Sequence, residues 1–225
     1  MKDKICVVTG ASSGIGRAVA AGFAAAGATV VGVARRFSDE PIGDRLAPGT
    51  VIEVALDVTD ESAVIARFAE LSRVDVLINN AGGGTFAPVV DDTLAQLRAM
   101  LDAHIVGTFL CSRAALPLMS DGGHIINISS SAAKQTFAGC AGYTAAKAGQ
   151  AAFGRVLREE AREHNVRVTN LFPGAVDTAI WDDKPGFDRS AMMKPEELAE
   201  LMIDVIKRPG LGVEELVVSP PGGSL

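Results

Sequence analysis

Ser130, Tyr143 and Lys147 are the residue types that can move a proton onto or off an oxygen. The tyrosine follows the serine by thirteen positions, and the lysine follows the tyrosine by four. Residues four apart on a helix share a face, so a helix here aims the phenol and the ammonium the same way. A hydroxyl donor beside a phenol and an ammonium makes a general acid/base. A free phenol titrates near about 10, and a nearby positive charge favours its phenolate. Tyr-x-x-x-Lys is common by chance, so its weight depends on the elements around it.

The first of those elements is Ile5–Val8, an apolar run that ends at Thr9-Gly10 and reads as a strand buried on both faces. Gly10-Ala-Ser12-Ser13-Gly14-Ile15-Gly16 follows, then a helical pattern closed by Gly27. Strand, glycine loop and helix form the front of a dinucleotide-binding unit. Glycine admits a pyrophosphate close to the backbone, and the helix start offers free N–H groups and a partial positive charge. A second strand, 29–34, runs into Arg35-Arg36 where dinucleotide folds often carry an acid. A guanidinium binds a ribose 2′-phosphate that an acid would repel, so NADP(H) is expected before NAD(H).

Residues 37–50 read as a loop with at most one helical turn, and 51–56 as a third strand ending at Asp57-Val58. Asp57 can accept from an adenine amine or start the next helix, a task Asp60 can also do. A helix over 62–71 precedes a fourth strand, 76–78, which ends in Asn79-Asn80-Ala81-Gly82. Small residues at a strand's carboxyl end let a ligand lie against the backbone, and Asn80 is expected both to tie loops together and to meet the ligand. Residues 93–119 read as one long helix, 124–128 as a fifth strand and 143–164 as a helix rich in alanine and glycine. A sixth strand, 166–172, is broken by Pro173-Gly174, and Val176 and Thr178 follow. Residues 179–194 combine Trp181, Phe187, Met192 and Met193 with charges, the profile of a mobile lid. Pro195 opens the last helix, with Lys207-Arg208 in its last turn, and 215–218 is a seventh strand.

Composition excludes several functions. The formal net charge of −6 leaves no basic surplus for general nucleic-acid binding. No apolar run approaches the roughly 18 residues that span a bilayer. Met1–Lys4 leads straight into a strand pattern, so no signal peptide is expected. Cys6, Cys111 and Cys140 are odd in number and widely spaced, which predicts reduced thiols in a cytoplasmic protein and no metal site. No linker or repeat divides the 225 residues, and a single domain is expected over 1–225.

Thr9-Gly10-Ala-Ser-Ser-Gly14-Ile-Gly16, Asn79-Asn80-Ala81-Gly82, Asn127-Ile-Ser-Ser130, Tyr143-x-x-x-Lys147 and Pro173-Gly174 stand in one order along nearly the whole chain. This pattern resembles the short-chain dehydrogenase/reductase family. The resemblance implies an α/β Rossmann-type fold, a doubly wound seven-stranded parallel sheet with helices on both faces. It implies a nicotinamide dinucleotide and a small carbonyl or alcohol substrate. Ser130 would then hold the substrate oxygen, Tyr143 serve as acid/base, and Lys147 bind the nicotinamide ribose and assist Tyr143. Thr178 and the backbone near Val176 would hold the carboxamide, and Arg35 matches a basic position of NADPH-preferring members. A homodimer or homotetramer through the helices at about 97–119 and 143–164 is implied as well. One position departs from the family: His104-Ile-Val-Gly107 stands where Asn-x-x-Gly is usual. An imidazole can also bond a carbonyl and a water, so His104 joins the candidate catalytic residues and brings an expected titration near neutral pH.

Overall fold

Valine and isoleucine dominate the short runs that become strands, because branched side chains pack well on a pleated surface covered on both faces. In the computed structural model, residues 1–225 are described except 121, 183, 185, 224 and 225. Seven strands form: β1 (Ile5–Thr9), β2 (Thr29–Ala34), β3 (Val51–Ala55), β4 (Val76–Asn79), β5 (Gly123–Ile128), β6 (Val166–Pro173) and β7 (Glu215–Val218). All pair in parallel, in the order β3-β2-β1-β4-β5-β6-β7. The order reverses between β1 and β4, which opens a crevice at their carboxyl ends.

Alternate residues of each strand feed different cores, as the two-residue period of a strand requires. Cys6, Val8, Val30, Ile78 and Ile126 pack with Phe23 of α1 (Gly14–Ala25) and with Leu198 and Met202 of α6 (Pro195–Ile206). Val7, Val31, Leu77, Ile125 and Val168 pack on the other face. There they meet Val64 and Phe68 of α2 (Glu61–Phe68), Leu110 of α4 (Gly107–Ala115) and Leu157 of α5 (Ala141–Ala161). Fully burying one such side chain stabilises by about 1.5–3 kcal/mol.

Several helix ends follow the local chemistry. Asp60 Oδ1 accepts from the Ala63 N–H at 2.9 Å and so caps α2, leaving Asp57 for another task. Thr93 and Gln96 form a reciprocal capping box at the start of α3 (Leu94–Leu101). Pro195 sits in the first turn of α6, which ends at Ile206, so Lys207 is its C-cap and Arg208 lies beyond it rather than in the last turn.

The long helical stretch expected over 93–119 runs unbroken from Leu94 to Leu118, but it is not a uniform α-helix. α3 passes into a π-helical turn at Asp102–Val106, then α4, then a 3-10 turn at Leu116–Leu118. The 179–194 segment, expected as a mobile lid, has local structure among its described residues. It carries 3-10 turns at Ala179–Trp181 and Arg189–Ala191, its Met192 is buried, and Met193 bridges to Val176. Arg189 holds it down, with Nε 2.7 Å from Asp177 Oδ1 and Nη1 2.7 Å from Asp182 Oδ1.

The amino end of the sheet is fastened by Asp75. Its carboxylate accepts from the Ile5 N–H at 2.7 Å, its carbonyl accepts from the His124 N–H at 3.0 Å, and Arg73 Nε lies 3.3 Å from it. Among the described residues, no helix is long and apolar enough to cross a membrane.

Candidate active site

The carboxyl ends of β1 and β4 are stitched together by one hydroxyl. Thr9 Oγ1 accepts from the N–H groups of Asn80 and Ala81, both at 2.9 Å, and donates to the Ile78 carbonyl. Asn80 Nδ2 returns the bond, donating to the Thr9 carbonyl at 2.9 Å and the Gly10 carbonyl at 3.3 Å. The loop-tying half of the expectation for Asn80 is therefore visible. Gly16 is required by proximity: a Cβ there would lie 2.3 Å from the Gly10 carbonyl oxygen and 2.4 Å from Asn80 Nδ2. The Ser13 side chain makes no capping bond to α1, so the first-turn N–H groups receive no partner from it.

Above this floor lies a cavity of about 1050 Å³. Gly10, Ser12, Ser13, Gly14 and Ile15 line one part, and Asn80, Ala81 and Gly82 another. Arg35, Arg36, Asp57 and Val58 stand at one end; His104, Tyr143, Lys147 and Thr178 stand at the other. Asp57 Oδ1 already accepts from the Thr59 N–H and hydroxyl, at 2.9 and 2.8 Å. Partial burial pushes its carboxyl up, but the Thr59 bonds and the Arg35 charge outweigh that and hold it below the usual range.

A second chamber of about 770 Å³ adjoins the first. Ser130, Pro173, Gly174 and Val176 face this chamber rather than the larger cavity. The Val176 carbonyl is already taken by the Trp181 indole N–H at 2.9 Å. Tyr143 lines both spaces, together with Ile15, Ser129, Thr178 and Ile180. Gly16 lines neither; it is buried beneath the loop.

The helix that carries Tyr143 and Lys147 starts two residues before the phenol, so the four-residue spacing does place both on one face. Burial pushes the Tyr143 phenol up to about 12, against the pull of a hydrogen bond from Ser130, and Cys140 adds to the rise. The phenol therefore holds its proton at neutral pH. The expectation that an adjacent ammonium draws it down is not met here. Lys147 Nζ lies 5.8 Å from the Tyr143 ring centroid and donates to the Ile128 carbonyl at 2.7 Å. Burial lowers the Lys147 ammonium to about 7, so near neutrality it is only partly charged.

His104 sits in the π-helical turn. Its Nε2 is 2.8 Å from the Gly83 carbonyl oxygen, which can only accept, so Nε2 carries the proton. Nδ1 is then an acceptor, buried and without a partner among the described residues. The ring lies where a Cβ on Gly82 would be, 2.1 Å from Cε1, so the imidazole needs that glycine. Burial, then the Lys147 charge, push the imidazole down to about 3 against the Gly83 bond. The expected titration near neutral pH is thereby overturned: this histidine is neutral from mildly acidic pH upward.

Sequence reasoning missed three contributors. Thr9 was read as the end of a strand and the start of the glycine-loop motif, without its hydroxyl's role in tying β1 to β4. Gln150, three residues after Lys147 on the same buried face, holds its Oε1 3.4 Å from Lys147 Nζ and donates to Thr108 Oγ1 at 2.9 Å; the spacing alone could have found it. The asparagines at strand ends form a buried ladder. Asn79 Nδ2 donates to Asn127 Oδ1 at 2.9 Å, Asn127 Nδ2 to Asn170 Oδ1 at 3.0 Å, and Asn170 Nδ2 to the Ala151 carbonyl at 2.9 Å. The parallel register puts Asn79, Asn127 and Asn170 side by side.

Comparison with known proteins places this geometry. Residues 4–186 match the model of the short chain dehydrogenase family. An uncharacterized oxidoreductase of Staphylococcus aureus strain MRSA252 is 34% identical over 229 aligned positions, covering 98% of each chain. A sepiapterin reductase of Chlorobaculum tepidum is 32% identical over 246 positions, again covering 98% of each. Among solved structures, an alcohol dehydrogenase of the archaeon Thermococcus sibiricus complexed with 5-hydroxy-NADP superposes with a TM-score of 0.84 at 27% identity, over 97% of both chains. A 7α-hydroxysteroid dehydrogenase complexed with NADH and 7-oxo glycochenodeoxycholic acid does so with a TM-score of 0.84 at 27% identity, over 99% of this chain and 95% of that one. With its seven-stranded parallel sheet and the match over residues 4–186, the chain belongs to the short chain dehydrogenase family of oxidoreductases.

Proposed function

We propose that the chain is an NADP(H)-dependent reductase of a ketone or aldehyde, reversible as an alcohol dehydrogenase, with Tyr143 as its acid/base. The observation that carries this reading is the position of Tyr143 in the wall shared by the two cavities. The larger cavity suits a dinucleotide: its floor excludes a Cβ at Gly16, and Arg35 and Arg36 stand at the end opposite Tyr143. When bound there, the nicotinamide supplies or accepts the hydride.

The chain's own residues do the rest. The residues from Gly10 to Ile15, with Asn80, Ala81 and Gly82, hold the pyrophosphate side. Arg35 and Arg36 hold a 2′-phosphate, and Asp57 and Val58 meet the adenine end. Pro173, Gly174, Val176 and Thr178 bound the nicotinamide end, and Lys147 engages the adjoining ribose. In reduction, Tyr143 donates its phenolic proton to the substrate oxygen. A phenol held near 12 is fully protonated at neutral pH, so the donor form needs no prior uptake. Hydrogen bonds from Ser130 and Tyr143 stabilise the developing alkoxide. His104 holds the Gly82–Gly84 loop after β4 through Gly83 and presents Nδ1 as a fixed acceptor. Val106, Phe109 and Val156 leave apolar surface exposed on α4 and α5 and the turn between α3 and α4, which suits a homodimer or homotetramer through those helices.

The test is a panel of carbonyl compounds assayed with NADPH and NADH, comparing wild type, Tyr143→Phe and Arg35→Ala. Wild type oxidises NADPH, Tyr143→Phe loses the activity, and Arg35→Ala loses about 10–100-fold in NADPH efficiency alone. Equal activity of wild type and Tyr143→Phe would refute the assignment of the acid/base. A preference for NADH that survives Arg35→Ala would favour the NAD-dependent alternative.

A further inference from the structure

We propose that the chamber beside Tyr143 selects a carbonyl substrate with an apolar, ring-sized body and a carboxylate at the far end, and that Lys184 pairs with that carboxylate. The inference rests on the reading of Tyr143 as the group that meets the substrate carbonyl.

The chamber's wall is mostly apolar, with Ser131, Thr136 and Thr178 among its polar residues. Ser130 is hydrogen-bonded to Tyr143 in that wall, and Lys184 stands against Phe86 and Trp181. Phe86, Phe137, Val176, Trp181 and Phe187 make up much of the remaining wall. Among the described lining residues, Lys184 is the one charged side chain, and no described carboxylate lies within ion-pair distance of it. Lys184 is half-buried, and an ammonium set partly against an apolar wall is stabilised by a partner of opposite charge. Its existing contacts compensate only in part. It donates to the Ile180 carbonyl, and its Nζ lies 4.5 Å from the Phe86 ring centroid and 6.0 Å from that of Trp181. An ammonium has three N–H donors, so two remain for a ligand. Its field reaches across the chamber: burial raises the Cys140 thiol, and the Lys184 charge pulls it back.

Phe86 sets the length of the substrate. Its ring centroid is 5.3 Å from that of Tyr143 and 4.5 Å from Lys184 Nζ. One aromatic ring thus lies against both the tyrosine ring and the cation. A substrate with its carbonyl at Tyr143 and its carboxylate at Lys184 lays a body of that size along Phe86. A neutral molecule of the same shape leaves the ammonium unpaired, which is how one charge discriminates between them.

The experiment uses 4-acetylbenzoate and its methyl ester as probes. Binding of each to the full chain, supplied with NADP+, is measured by titration calorimetry for wild type, Lys184→Met and Lys184→Arg, and NADPH oxidation is followed in parallel. Wild type binds the acid about tenfold more tightly than the ester. Lys184→Met removes that preference and leaves the ester unchanged, whereas Lys184→Arg keeps it. The proposal is overturned if acid and ester bind alike, if neither binds, or if Lys184→Met weakens both equally, as a lysine that only caps the 179–181 turn would. Charge-dependent binding without NADPH oxidation upholds the pairing and refutes the reductase reading instead.

Discussion

Replacing Lys147 by methionine removes a buried ammonium and keeps most of the stem. Burial lowers this group from its ordinary 10.5 to about 7. An unfolded lysine keeps its proton up to the ordinary value, while the folded one releases it near 7. Between those limits the unfolded chain binds more protons, so stability rises with pH across the window. Below it both states are protonated and the whole penalty is present; above it the penalty is gone. At about 1.4 kcal/mol per pH unit the full span corresponds to about 5 kcal/mol, of which about 3 falls between about pH 7 and 9.5. The assay is urea unfolding at fixed protein concentration over that range. Wild type should gain about 3 kcal/mol relative to Lys147→Met, because other titrating groups cancel in the difference. Parallel curves for the two proteins would show that Lys147 is not held by the Ile128 carbonyl in a dry site, and the account of its charge would fail.

Two further outcomes follow from the same geometry. His104→Asn should resist acid better than wild type: the imidazole is held at about 3 against an ordinary 6.5, so its contribution is complete above 6.5 and is lost as pH falls toward 3. The difference between the two proteins reaches about 2 kcal/mol at about pH 5, read from urea midpoints, and the pH–rate profile between about 6 and 7.5 is unchanged; a wild-type inflection there that the variant lacks would contradict the burial of His104. Asn127→Leu removes the middle of the asparagine ladder and leaves Asn170 Oδ1 without its donor. It should cost about 2–4 kcal/mol in the same assay, and a loss under about 1 kcal/mol would mean the ladder is not held dry.

The strands were legible because their residues leave little choice: Val30, Val31 and Val33 suit a sheet covered on both sides, and β2 and β7 fall where the pattern put them, the others differing by one residue at an end. Tyr143 and Lys147 were brought to one cavity because a four-residue spacing survives any small error in the helix start. The environment of each charge was not legible. Nothing in the residue types says that Lys147 turns to the Ile128 carbonyl, or that His104 is sealed against Gly82. Both depend on how closely segments distant in sequence approach one another. The π-helical turn was hidden for a similar reason: Asp102–Val106 contains neither glycine nor proline to mark it. The burial of Met192, next to the bridge between Val176 and Met193, was not legible from the mixed composition of 179–194.

The fastening at Asp75 has a consequence for how this molecule can be altered. Asp75 grips the edge of the sheet that is remote from both cavities, drawing in Ile5, Arg73 and His124. Durability and reactivity are thus lodged at opposite rims of one platform. Changes that tighten the Asp75 rim therefore act at a distance from the residues that line the two cavities.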